Sequence, residues 1–241
     1  MVEVNTLSQL IQLRPGDFRD IDLTQEDILH WLTLAEAGWM HNGDPRMPHA
    51  ELASGMCSNG FFFCRKLLRF PNVNEILAHQ LARKLIADCC LTGGVGAVVG
   101  SPYSSITLAG EMAKEFFAIH GIPEKDPKDP NGKKMVWKEE LPAGTRVLRV
   151  EELITTTGST LETTLAIQAT NPWPVTFLPV IGALVHRPPT LPVDYWGMRI
   201  VPLVQIKVWA VPPEKCELCR QGSVRVKPKS NWALLTAGKK K

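Results

Sequence analysis

The sequence predicts an α/β protein with a mostly parallel central sheet flanked by helices. Three observations predict it. Short buried runs alternate with stretches of helical periodicity. A strand, loop, helix order occurs at residues 94–121 and again at residues 146–169. Two more buried runs, at residues 175–187 and 200–211, complete a series of strands alternating with helices. The chain has 241 residues, of which 44% are hydrophobic, enough for one well-filled core.

Residues 1–40 read as largely helical. In Ile21–Met40, Thr24 and Asp27 stand at capping-box spacing, with Asp in the usual Glu/Gln place, and Ile28, Leu32, Ala35 and Trp39 recur at helical spacing. A polar, proline-broken loop follows at residues 41–60, then a short strand at Phe61–Cys64. Residues 72–91 read as a helix with Ile76, Leu77, Leu81 and Leu85 on one face. Ala97–Val99 is a short buried strand, followed by a tight turn and a helix from about Ser105 to Phe117. Residues 122–140 are dense in Pro, Lys and Asp, a composition expected of a mobile surface segment rather than of a core. No internal repeat is visible.

Charged residues make up 21% of the chain and the net charge is +3, too small a surplus to argue for nucleic acid. Lys239–Lys241 reads as a solvated tail. No apolar run is long enough to span a bilayer, and Met1–Leu10 lacks the basic start and apolar middle of a signal peptide. The expectation is a cytoplasmic protein with no membrane and no nucleic-acid partner. Of the six cysteines, Cys57, Cys64, Cys89 and Cys90 lie among apolar or small residues and read as reduced thiols. Cys216 and Cys219 form a single CxxC. That supplies two of the four ligands of a structural zinc site, and no second pair stands at finger-like spacing downstream. A packing or turn role is therefore expected of them.

The chemistry concentrates in Arg146–Thr160. Val147–Val150 is a buried strand, Glu151 and Glu152 stand at its carboxyl end, and Thr155-Thr156-Thr157-Gly158-Ser159-Thr160 leads into a helix from about Leu161. Crevices beyond the carboxyl ends of parallel strands are where open α/β sheets bind ligands. A helix N-terminus offers free N–H groups and a favourable dipole to a phosphate. The hydroxyls add donors, and Gly158 admits close backbone approach. Two carboxylates beside such a loop suit ribose hydroxyls and Mg²⁺. An ordinary strand–turn–helix with two surface glutamates is the alternative.

The stretch VLRVEELITTTGST resembles the phosphoribosyl pyrophosphate (PRPP) motif of type I phosphoribosyltransferases, and the orotate branch fits best. ELASGMCSNGFFF is similar to that branch's base loop, VVGSPYSSITLA to its pyrophosphate loop, and EKDPKDPNGKK to its mobile catalytic loop. ALVHR is similar to the strand ending in a substrate-facing arginine, and CELCRQGSVRVKPKS to a tail of many bacterial members. The matches run in the family's order over roughly residues 50 to 230.

The resemblance implies a type I phosphoribosyltransferase-like fold with a small hood subdomain. It divides the chain into a helical hood part at 1–45, the transferase domain at 46–230 and a basic tail at 231–241. It implies transfer of ribose 5-phosphate from PRPP to orotate, in pyrimidine nucleotide biosynthesis, with Mg²⁺ as cofactor and a homodimer that shares its active sites. Thr155, Thr156, Thr157, Gly158 and Ser159 would hold the 5-phosphate. Ser101, Pro102 and Tyr103 would lie against the pyrophosphate, and Lys125 and Lys128 would close over it. Glu151 and Glu152 would bind the ribose hydroxyls, directly or through the metal. Ser54, Gly55, Phe61 and Phe62 would contact the base, and Arg187 would face its acidic substituent.

The chain departs from the family pattern at Glu152, where Asp is usual, at Ala53 in place of a lysine, and at Glu124 and Pro130 in place of an arginine and a histidine. Lys133 and Lys134 are candidate substitutes for the lost cations. A transferase for another base, and a PRPP-binding regulatory protein with little turnover, remain open beside the orotate enzyme.

Overall fold

A computed structural model describes residues 4–89, 91, 94–190, 195 and 197–237. Cys90 and Lys239–Lys241 lie outside the described residues. The central sheet has five strands in the order β11-β10-β9-β5-β6. They are β5 (Ala97–Gly100), β6 (Ile119–Gly121), β9 (Arg146–Ile154), β10 (Thr176–His186) and β11 (Arg199–Gln205), and every neighbouring pair is parallel. This is the predicted α/β architecture.

Both faces of the sheet are covered, which is why its strands read as nearly unbroken apolar runs. On one face Val98, Leu148 and Val150 meet Leu77, Leu81 and Leu85 of α4 (Pro71–Cys89) and Leu108 and Met112 of α5 (Ser105–Phe116) in the main core. Gly182 of β10 lets α4 come close: a Cβ there would stand 3.0 Å from Leu85 Cδ1. On the other face Ala97, Val99 and Val147 meet Ile167 of α6 (Gly158–Thr170) and Trp137. A fully buried Leu or Val side chain contributes about 1.5–3 kcal/mol by leaving water.

The first forty residues are less helical than their periodicity suggests. α1 (Leu7–Ile11) and α2 (Gln25–Leu34) are separated by a 3-10 turn at Pro15–Phe18. The capping box is present: Asp27 N donates to Thr24 Oγ1 at 3.1 Å, and Thr24 N donates to Asp27 Oδ2 at 2.9 Å. The helix stops short of Ala35 and Trp39, however, because Glu36 turns left-handed with φ 52. Ala37 N then donates to Leu32 O at 2.7 Å and Glu36 N to Thr33 O at 3.0 Å, a Schellman-type ending. The chain emerges as β1 (Gly38–Met40), which pairs antiparallel with β4 (Gly60–Phe62). Trp39 is thus buried from a strand.

Residues 122–140 also differ from expectation. They form a hairpin, β7 (Glu124–Lys125) against β8 (Met135–Val136), rather than an unstructured segment. Its tip is two successive turns with Pro second in each: Asp129 N donates to Asp126 O at 3.1 Å, and Gly132 N to Asp129 O at 3.0 Å. Asp129 Oδ2 further accepts from the backbone of Lys133 at 2.6 Å and Lys134 at 2.7 Å, and these amides hold its carboxyl below the usual range. Met135 and Trp137, hidden in a polar sequence, anchor the base of the hairpin in the core.

A second, four-stranded sheet gathers distant parts of the chain. Its order is β12-β3-β2-β13, from β2 (His49–Glu51), β3 (Cys57–Ser58), β12 (Ala210–Val211) and β13 (Arg225–Val226). α7 (Glu217–Arg220) joins β12 to β13, α3 (Arg65–Leu68) follows β4, and α8 (Trp232–Thr236) packs Leu235 on Trp39 and Ala50. No helix of the described residues is long and apolar enough to cross a membrane.

Candidate active site

β9 is longer than its apolar run, since Glu151 and Glu152 are still in the strand. Strand alternation sends neighbouring side chains to opposite faces. Glu151 turns inward and is 5% exposed. Its Oε1 accepts from Ser101 Oγ and, at 2.7 Å, from Thr160 Oγ1; its Oε2 accepts from Ser105 Oγ at 2.8 Å. Ser105 Oγ also lies within hydrogen-bond reach of Glu152 Oε2 and accepts from Glu152 N at 3.1 Å. Burial pushes the Glu151 carboxyl up to about 7 against the hydroxyl bonds, with the Glu152 charge adding to the shift. Burial also raises Glu152, and the Ser105 hydroxyl opposes it.

Glu152 is half-buried and shares Ser105 with Glu151. Its charge reaches the Cys64 thiol, which burial pushes up and which the Arg187 cation acts on in the opposite sense. Cys64 thus feels the charges of Glu152, near the carboxyl end of β9, and of Arg187, just past the carboxyl end of β10. Arg187 Nε is buried without a hydrogen-bond partner among the described residues. Desolvation lowers the pKa of this guanidinium. An unsatisfied buried N–H is costly, and an anionic ligand would answer it.

The loop after β9 enters α6 earlier than expected, at Gly158. Thr156, Gly158 and Ser159 are exposed, whereas Thr157 and Thr160 are buried. No side chain caps the start of α6, so its first-turn amides are open to a ligand. A Cβ at Gly158 would meet nothing nearer than Thr156 Oγ1 at 3.8 Å, which leaves approach from outside clear. Beside this loop β5 ends at Gly100, where a Cβ would stand 2.5 Å from Ser105 O, so only glycine lets the strand turn so tightly into α5. Ser101 is buried against Glu151, while Pro102 is half-buried and Tyr103 is exposed.

No protein-family model matches the chain. Among characterised proteins, it is 31% identical over 183 residues to the orotate phosphoribosyltransferase of Pelotomaculum thermopropionicum, covering 76% of this chain and 88% of that one. It is 32% identical to the Carboxydothermus hydrogenoformans enzyme of the same name, over 76% and 89% of the two chains. The Desulforamulus reducens orotate phosphoribosyltransferase aligns at 29% identity over 86% of this chain and 98% of its own. The chain belongs to the orotate phosphoribosyltransferase family. Solved structures agree on the fold: Leishmania donovani UMP synthase superposes with a TM-score of 0.52 at 15% identity, over 78% of this chain and 37% of its own. The Aeropyrum pernix orotate phosphoribosyltransferase superposes at 0.50 and 17%, over 74% and 93%.

Other residues that the family motifs pick out lie on the β7–β8 hairpin, in the turn between β2 and β3, and on β4. Lys125 Nζ donates to Gly132 O within its own hairpin, and Lys128 is exposed at the hairpin tip. Glu124, where the family pattern has arginine, is ion-paired with Lys138 Nζ at 2.6 Å across the base of that hairpin. Ser54 and Gly55 form the turn between β2 and β3, with Gly55 at φ 79 and its N–H donating to Leu52 O at 2.9 Å. Phe62 is 5% exposed in the main core, and Phe61 packs with Trp39 and Leu235. Phe62 thus packs in the core. Cys216 and Cys219 are not the unaccompanied pair that their spacing suggests: His49 and Cys57, both upstream, stand beside them.

Several members of the site carry no signal of their own in the sequence. Ser105 satisfies both glutamates, yet it reads as an ordinary first-turn residue. Tyr195 OH donates to Thr155 O at 3.4 Å and lies 2.7 Å from His186 Nε2, tying the loop after β9 to the end of β10.

Proposed function

We propose that the chain transfers the 5-phosphoribosyl group of PRPP to orotate, giving orotidine 5'-phosphate and pyrophosphate. The observation that carries this reading is the uncapped first turn of α6, which follows Glu152 along the chain, together with the buried and unpartnered Arg187 Nε. The amides of Gly158 and Ser159, with the hydroxyls of Thr155, Thr156 and Ser159, hold the 5-phosphate. Glu152 orients the ribose hydroxyls. Glu151 is a positioning residue, because three hydroxyls already occupy its carboxylate. Arg187 takes the carboxylate of the base, and Ser54, Gly55 and Phe61 border it. Ser101, Pro102 and Tyr103 line the pyrophosphate.

The reaction breaks the anomeric bond through an oxocarbenium-like ribose, which needs alignment and cations rather than a protein nucleophile. The donor set fits Mg²⁺ when the metal enters with PRPP: Glu152 offers one half-buried carboxylate, and Mg²⁺ takes few protein ligands beside substrate phosphates. Mg²⁺ supplies charge neutralisation on the pyrophosphate. Lys125 and Lys128 close over the leaving group and exclude water, Lys125 exchanging its bond to Gly132 O for a phosphate oxygen. The hairpin does so in the neighbouring subunit of a homodimer. The protein works in the cytoplasm.

The test mixes the purified chain with PRPP, Mg²⁺ and a panel of bases and follows pyrophosphate release. Release with orotate alone is the expected result. Release only with another base, which Ala53 on the hairpin would favour, replaces the acceptor. PRPP binding without release from any base leaves a regulatory protein. Mixed dimers of a Lys128→Ala chain and a Ser159→Glu chain recover activity if the sites are shared, and stay inactive if each chain is self-sufficient.

A further inference from the structure

A second polar cluster lies outside this site, and its side chains are metal ligands. His49, Cys57, Cys216 and Cys219 bring one ligand atom each within 4.8 Å of one another. His49, Cys57 and Cys216 are each 0% exposed. Cys57 Sγ stands 3.6 Å from Cys219 Sγ, and His49 Nε2 stands 3.6 Å from Cys216 Sγ and 3.4 Å from Cys219 Sγ. A tetrahedral zinc with Zn–S near 2.3 Å and Zn–N near 2.05 Å sets neighbouring donors about 3.8 Å (S···S) and about 3.6 Å (S···N) apart. The observed spacings lie within about 0.2 Å of those edges.

The histidine is also oriented for ligation. Ser223 Oγ donates to Met47 O at 2.6 Å, so the Ser223 oxygen is left to accept, and His49 Nδ1 lies 2.8 Å from it. That puts the ring proton on Nδ1 and the lone pair of Nε2 among the sulfurs, the usual second support of a metal-bound imidazole. Ordinary core packing would not require this.

We infer that His49, Cys57, Cys216 and Cys219 form a structural zinc site that fastens the Ser54–Gly55 hairpin to the segment carrying α7. Four protein ligands close the coordination shell, which marks the site as structural and not catalytic. Binding Zn²⁺ displaces the three thiol protons and leaves a centre of net charge −1. Arg225 lies near enough to act on both His49 and Cys219 and offsets that charge. The need is plain from the strands: β2 has three residues and β3 has two, too few to hold a sheet by pairing alone. The two upstream ligands flank the hairpin, so the metal fixes it from both sides. The inference holds whichever base the chain uses.

The experiment measures metal in the full chain, purified with reductant and Zn²⁺ and then dialysed. About one zinc per chain by elemental mass spectrometry is expected. The Cys216→Ser, Cys219→Ser double variant should fall below about a tenth of that, while Cys89→Ser, outside the cluster, keeps it. Should the double variant not fold, the wild-type chain loaded with Co²⁺ decides: thiolate-to-cobalt charge-transfer bands with tetrahedral d–d bands support the site. Wild-type protein without bound zinc, with iron in its place, or with a disulfide among these cysteines overturns it.

Discussion

Glu151 and Ser54 belong to two sides of one proposed cleft, and they are held in place differently. Glu151 stands on a nine-residue central strand, covered on both faces and bonded to hydroxyls from three elements or turns. Ser54 stands on a hairpin of very short strands, with a cluster of His and Cys beneath it. The donor side is rigid because the sheet makes it so. The acceptor side is rigid only as far as local ties allow. On the proposed function, the reacting part stands on the core and the part that meets the base stands on a separately tied unit, so that one can change without the other.

The largest break in this comparison should come from Ser159→Glu. A carboxylate about 4 Å from a bound phosphate costs roughly 4 kcal/mol, so PRPP affinity by calorimetry should fall roughly 1000-fold. Ser159 is exposed, so the thermal midpoint should stay put. Next comes the pH dependence of stability. Folded Glu151 keeps its proton to about 7, whereas its ordinary value is 4.5, so the native state binds more protons between those values. Its contribution to stability is full below the lower value and is lost as pH rises through the upper one, on the order of 3 kcal/mol in all. Denaturant titrations of wild type and Glu151→Gln should therefore converge toward acid and differ in slope across this window; parallel curves would remove the buried-carboxyl account. Lys128→Ala should lower kcat about 100-fold with the KM for orotate little changed, since it acts on the leaving group. An unchanged kcat would take the hairpin out of catalysis. Smallest, Phe62→Leu should cost about 1–2 kcal/mol of stability and leave the KM for the base alone. A raised KM with normal stability would return Phe62 to the base site.

Legibility followed the same division. The donor side was readable because its parts are contiguous: Val147 to Thr160 is a strand, a turn and a helix start in one stretch, and the residue types state the chemistry. The central strands and α4 and α5 were readable from burial and periodicity. Ser105 was not, because a first-turn hydroxyl gains meaning only when a carboxylate from another strand reaches it. Trp39 read as helical because its spacing continues that of Ile28 and Leu32; a left-handed residue at Glu36 breaks the helix without glycine or proline to announce it. Met135 and Trp137 were hidden by the charges around them. The His49–Cys57–Cys216–Cys219 cluster was the hardest, since spacing rules look nearby and its members are brought together by the small sheet.

β13 pairs with β2, Ser223 supports His49, and Trp39 Nε1 donates to Leu235 O at 2.7 Å. These contacts tie residues 39–50 to residues 223–235, far along the sequence. In a chain made from its N-terminus, the β2–β3 hairpin must wait for residues 216–235, which come after the central strands. Each newly made chain therefore passes through an interval in which its central sheet is made and its small sheet is still open on one side.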